Sequence, residues 1–133
     1  MAEQSFVIYK LKNDNSTDIV FKANWDIRII GNDCGATYEK CFWKEEDWEY
    51  VIKKKYKKKL VNSLVKDYPD VMSNVISSVE NKTNMKMYNK LSYMDIIVLL
   101  SFREIFNKHL SYRKISEYLR LKNIPISESL YYW

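Results

Sequence analysis

The stretch LSYRKISEYLRLKNIPISESLYYW, residues 110–133, dominates our interpretation of the fold. Apolar residues at helical spacing, each run opened by a serine, predict one helix from Ser111 and another from Ser127, because serine is a favoured N-cap residue. A preceding helix is predicted over Ser92–Lys108. Residues 90–133 therefore have the order helix, short turn, helix, four-residue turn, helix. This is the order of a DNA-binding helix-turn-helix.

In such a unit the last helix points its N-terminal residues at base edges, and basic residues around it contact phosphates. The residues in the base-reading position are Ser127, Glu128 and Ser129. The last helix itself carries no Lys or Arg, which weakens the case for direct reading of guanine. The flanking residues that we predict to contact phosphates are Arg113, Lys114, Arg120 and Lys122.

The segments LSYRKISEYL (110–119) and IPISESLYYW (124–133) resemble the helix-turn-helix near the N-terminus of DDE-type insertion-sequence transposases. Members of that family read roughly Leu-Ser-Tyr-Arg-(Asp/Lys)-Ile, then a short turn, then Thr-(Ile/Val)-Tyr-x-Trp. The resemblance covers the last third of the chain and implies DNA binding. Two departures stand out: Tyr132 replaces a basic residue, and no catalytic domain follows Trp133, so strand transfer is not expected.

Upstream, residues 44–89 show a different pattern. Apolar residues recur every four positions from Trp48 to Leu64 and predict one long helix, which Pro69 ends. A shorter helix is predicted around Val71–Val79. Both helices are expected to pack on the sheet that the N-terminal residues form.

The lysine run KKKYKKK, residues 53–59, lies within the predicted long helix. Ile52, Tyr56 and Leu60 would face inward, and the six lysines would cover the exposed side. Such a run is either a solvated helix face or a phosphate-contacting surface, and the two interpretations overlap. The lysines that we single out as candidate DNA contacts are Lys54 and Lys58.

Residues 1–43 are rich in β-branched and aromatic residues separated by turn signals, as in Asn13–Ser16. We predict a small antiparallel β-meander with a strand near 5–12, one or two strands over 19–21 and 25–30, and a third or fourth strand near 37–43. The expected fold class is therefore α+β, with a meander followed by a helical region that ends in the helix-turn-helix.

Composition narrows the function classes. The net charge is +5, and residues 44–89 and 90–133 each carry three more basic than acidic residues, which is compatible with a polyanionic partner. No apolar run reaches membrane-spanning length and no secretory signal is visible, so we expect an intracellular protein, cytoplasmic or nuclear. Cys34, Cys41 and His109 are too few for a zinc site, and neither a metal nor a cofactor is expected.

No nucleophile motif or acid–base pair is apparent, and the chain is not expected to be an enzyme. The first hypothesis is a DNA-binding protein, either a small regulator or a DNA-binding subunit of a larger complex, with duplex DNA as its partner. The alternative is a viral or mobile-element protein that binds and inhibits a host protein, for which the aromatic residues would serve as interface anchors. A protein partner or a homodimer stays open in both cases.

Overall fold

The structure is a computed structural model that describes residues 4–10, 16–22, 24–32, 46–80, 91–108 and 110–132. Its strands are β1 (Gln4–Lys10), β2 (Ser16–Phe21), β3 (Ile27–Asn32), β4 (Glu46–Ile52) and β5 (Ile126–Tyr132). A 3₁₀ turn, Lys54–Tyr56, leads into the helices, which are α1 (Lys57–Asp67), α2 (Pro69–Glu80), α3 (Tyr93–Ile105) and α4 (Ser111–Leu121).

The five strands form one antiparallel sheet in the order β1-β2-β3-β4-β5. The first four strands follow one another as a meander. The four helices then intervene before β5 returns to pair with β4, with Ile52 opposite Ile126 and Trp48 opposite Leu130. The α+β class and the N-terminal antiparallel meander are confirmed.

One face of the sheet carries the hydrophobic core. Alternate residues of the central strands share this face, because side chains in a strand point to opposite sides in turn. Ile19, Phe21 and Tyr50 are buried there. The helices cover this face with their own buried residues, among them Leu60, Leu64, Met72, Ile96, Leu99, Phe102, Ile115 and Leu119.

The predicted long helix from residue 44 is wrong in its first half. Residues Glu46–Ile52 form strand β4, and α1 begins at Lys57 and ends at Asp67, before Pro69 as expected. The spacing of Trp48 and Ile52 fits a four-residue repeat, but Trp48, Tyr50 and Ile52 also alternate at the strand period. Pairing with β3 on one side and β5 on the other decides between the two.

The predicted third helix, from Ser127, is also wrong. Residues Ile126–Tyr132 form β5, so the described chain has α3 and α4 followed by a strand in place of a three-helix unit. Ser92 does cap α3, accepting a bond from the Asp95 backbone N–H at 3.1 Å. Ser111 does not cap α4, since the N-cap is Leu110 in a left-handed conformation.

Some predictions fall outside the described residues. They are the strand near 37–43 and the positions of Cys34, Cys41 and His109. In the residues that the structure does describe, no helix is long and apolar enough to cross a membrane.

Candidate functional site

A cleft of about 170 Å³ lies between α4 and the two strands β4 and β5. Its aromatic wall comes from Trp48 and Tyr112. Arg113 and Arg120 are seven positions apart, which places both on one stripe of α4. The cleft thus brings together three residues that we predicted from sequence to contact DNA, namely Arg113, Arg120 and Glu128.

Arg113 is held against the aromatic wall. Its guanidinium carbon lies 5.4 Å from the centroid of the Trp48 ring and 5.9 Å from that of Tyr112. A guanidinium over an aromatic face is attracted by the negative charge density of the ring. Arg113 is therefore part of the packing between α4 and the sheet, although the residue as a whole is exposed.

The charges of the cleft, with Arg113 included, cancel. The Arg120 guanidinium forms an ion pair with the Glu128 carboxylate across the gap between α4 and β5. Glu117 adds a second carboxylate to the lining. Two arginines and two glutamates leave the cleft without a net charge, which makes it a poor site for a phosphate by itself.

The position of α4 on the sheet depends on two close contacts. The Tyr50 hydroxyl, fully buried, donates a hydrogen bond to the Tyr112 carbonyl at 2.5 Å, and burial raises the pKa of this phenol well above its usual value. The Tyr112 ring lies on Gly31 so closely that a Cβ there would approach ring atoms to 2.3 Å. Gly31 therefore lets α4 approach β3.

A second surface, on α1, is more strongly basic. Lys58, Lys59 and Lys66 line one open depression of about 410 Å³ together with Asn62 and Ser63. We call Lys58, Lys59 and Lys66, with Lys54 and Lys55 one turn upstream, the lysine face. In the described part of the chain no carboxylate forms an ion pair with Lys54, Lys55, Lys58 or Lys66.

The lysine face meets the end of α4. The Lys59 ammonium donates to the Asn123 carbonyl at 3.0 Å. Nearby, Asp67 accepts bonds from the Lys122 ammonium and the Tyr118 hydroxyl, both at 2.7 Å. These bonds, that of Lys122 first, lower the pKa of Asp67. Lys122 is thus neutralised by a neighbour.

Lys57 departs from the prediction that all six lysines of the run are exposed. Its ammonium is buried 2.6 Å from an Asp95 carboxylate oxygen of α3, and this carboxylate is fully buried. The same ammonium lies 5.6 Å from the centroid of the Trp25 ring. This lysine joins α1 to α3 and is not available to a ligand.

The remaining predicted site residues are scattered. Lys114 is exposed on α4, while Ser127 and Ser129 are exposed on the side of β5 that faces away from the helices. Ser127 and Ser129 do not form the first turn of a recognition helix, because they lie on strand β5. Sequence reasoning missed Trp48 and Tyr112 as site residues. The signal was the alternation of Trp48, Tyr50 and Ile52, which puts Trp48 on the helix-covered face of β4.

Among the described residues, no group of three or more His, Cys, Asp or Glu side chains could hold a metal ion. Comparison of the chain with protein-family models, with characterised proteins and with solved structures gives no match. The resemblance to the transposase helix-turn-helix therefore stays a prediction from sequence, and its third helix is a strand in this fold.

Proposed function

We propose that the chain is a non-enzymatic DNA-binding protein that holds the phosphate backbone of duplex DNA on its lysine face. The observation that supports this proposal most is the set of lysines on that face that form no ion pair with a carboxylate of the described residues, Lys54, Lys55, Lys58 and Lys66. Lys66 has only a longer-range attraction to Asp67, which is already bonded to Lys122. Phosphate neutralisation by such lysines supplies most non-specific affinity for DNA.

The position of these lysines adds support. Lys54, Lys55 and Lys58 crowd the start of α1, where the first turn contains no acidic residue and no side chain caps the helix, whereas Lys66 lies in its last turn. The positive end of a helix favours anions and is unfavourable for lysine. A bound phosphate would relieve this local conflict between charge and helix dipole, and conflicts of this kind tend to occur at functional sites.

The α4 residues have a secondary role in this proposal. Lys114 is exposed and lies on the same helix as Arg113, which is held on Trp48. We expect these two residues to contact the phosphate backbone of the DNA and not the edges of its bases. The protein would then bind duplex DNA with little sequence preference.

The test is a titration of labelled duplex DNA over a range of salt concentrations. Lys58→Gln/Lys66→Gln removes two of the proposed phosphate contacts, so the slope of log affinity against log salt should become shallower by about 1.8. The matched control is Lys10→Gln/Lys108→Gln, which removes two other exposed lysines and the same net charge. It should leave the slope nearly unchanged.

Two results would count against this function. One is the absence of detectable binding to duplex DNA at low salt. The other is an equal loss of affinity in both double variants, which would mean that total charge and not the lysine face determines binding.

A further inference from the structure

The two edges of the sheet differ in how well they are protected from pairing with another strand. An edge strand offers unpaired backbone N–H and C=O groups, and proteins usually block it with bulges, charged residues or covering side chains. At β1 the register shifts between Val7 and Tyr9, and Lys10 ends the strand. Arg103 of α3 donates from Nε to the Val7 carbonyl at 2.9 Å. The β1 edge is therefore blocked.

The β5 edge has none of these protections in the described part of the chain. Its seven residues pair with β4 in one unbroken register, and no described strand pairs with its outer side. No Lys, Arg or Pro lies within Ile126–Tyr132. Ser127, Glu128 and Ser129 are exposed. The one charge, on Glu128, is neutralised by Arg120.

The sequence of β5 suits pairing with itself. A two-fold axis through Ser129, the middle residue of the strand, would pair all seven positions of one copy with those of another. In that register Glu128 lies opposite position 130, an uncharged residue, so the two glutamates are not directly opposed. An axis through Glu128 would place like charges opposite each other, which is destabilising, and would shorten the overlap.

We propose that two copies of this chain associate through β5, antiparallel and centred on Ser129, so that the two sheets become one. The axis would be perpendicular to the sheet, so the helices of both copies would lie on the same side. A closed two-fold dimer uses the same patch on each subunit, which an edge strand paired with its own copy satisfies. This proposal does not depend on DNA binding.

The first test is sedimentation equilibrium of the full chain over a wide concentration range. The wild-type chain should show a monomer–dimer equilibrium. Ser129→Lys would place two ammonium groups beside each other at the axis and should raise the dimer Kd by at least about tenfold. Ser127→Lys is the matched control, because position 127 faces position 131 of the other copy, and its effect should be much smaller.

The second test is disulfide cross-linking in a background with Cys34→Ser and Cys41→Ser. Ser129→Cys brings the two sulfurs together at the axis and should give a covalent dimer under mild oxidation. Ser127→Cys should not, because the two cysteines would be roughly 13 Å apart along the strands. Circular dichroism of each variant checks that the exposed substitutions leave the fold intact.

A wild-type chain that stays monomeric at every concentration would overturn the proposal, and so would a dimer in which Ser129→Lys and Ser127→Lys have the same effect. Equal cross-linking of both cysteine variants would also overturn it, because the register would then be wrong. Failure of the DNA titration leaves these outcomes unchanged, so the two proposals are separable.

Discussion

Helix α1 carries four basic residues, and α4 with the residue after it also carries four, yet their surroundings differ. On α1, neither Lys58 nor Lys66 forms an ion pair with a carboxylate of the described residues, and Lys66 has only a longer-range attraction to Asp67. On and just after α4, Arg120 is paired with Glu128 and Lys122 with Asp67. The difference teaches that a count of positive charges does not locate a binding surface. Only cations that the fold leaves unneutralised are available to an outside anion.

The sharpest contrast lies within α1 itself, between buried Lys57 and its exposed neighbours. Asp95→Asn removes the carboxylate that neutralises Lys57 and leaves a buried, uncompensated ammonium. We expect the free energy of unfolding to fall by about 3–5 kcal/mol, because loss of one partner of a buried ion pair is strongly destabilising. Urea denaturation of the variant and of the wild-type chain measures this difference in the free energy of unfolding.

The control replaces both partners, as Lys57→Met/Asp95→Leu, and should recover most of the lost stability because no charge remains buried. Lys58→Gln should leave stability nearly unchanged. A loss for Asp95→Asn no larger than for Lys58→Gln would contradict the contrast between the two lysines.

The next prediction concerns Arg120 of α4, which a substitution of its partner Glu128 would leave without an ion pair. Glu128→Gln releases Arg120, which is more than half exposed as a side chain. Affinity for duplex DNA should rise, and the slope against salt should steepen by about 0.9 if Arg120 then meets a phosphate. Stability should change by less than about 1 kcal/mol, as is usual for exposed pairs.

The same DNA titration as above measures this change. Glu104→Gln makes an equal change of charge at an exposed position of α3 and serves as the control. If Glu128→Gln and Glu104→Gln raise the affinity for DNA equally, the change in net charge explains the gain, and the ion pair with Glu128 does not keep Arg120 from binding DNA.

The smallest effect concerns pH and the bond between Asp67 and Lys122. Hydrogen bonds from Lys122 and Tyr118 lower the pKa of Asp67 below its ordinary value of 3.8. A carboxyl whose pKa is lower in the folded state stabilises the fold above its unfolded pKa, and this contribution is lost as pH falls through the folded pKa. Wild type should therefore be more stable than Asp67→Asn at neutral pH.

The difference between the two melting temperatures should shrink as the pH is lowered below about 4, into the range of the folded pKa. Asp70→Asn, an exposed change on the neighbouring helix, is the control. A difference that stays constant with pH would show that the Asp67 carboxylate has no stabilising charge interaction with Lys122.

Much of the fold follows from local sequence signals. The early strands, α2, the end of α1 before Pro69 and the Ser92 cap of α3 depend on residues close in the chain, and local chemistry determines them. Strand β4 could not be predicted this way. Trp48, Tyr50 and Ile52 satisfy two periods, and the choice between them depends on partners in β3 and β5.

The residues of the candidate site likewise divide into those that local sequence predicts and those that depend on partners distant in the chain. The lysine run predicted Lys54 and Lys58 as candidate DNA contacts from sequence alone, and both belong to the lysine face. Burial of Lys57 could not be foreseen, since its partner Asp95 lies on another helix. The serine at position 127 gave a cap signal, but capping is a local preference that pairing with a long strand overrides.

The return of β5 to β4 has a consequence for how the chain folds. Ile52 and Ile126 face each other across the sheet although helices α1 to α4 lie between them in sequence. Such non-local pairing slows folding, because the entropy of closing a long loop is lost before the contacts form. During synthesis the first four strands and the helices emerge before β5, so β4 stays an open edge until β5 arrives. A chaperone that binds exposed strands would have its opportunity in that interval, and the rate-limiting step of refolding should be the addition of the last strand.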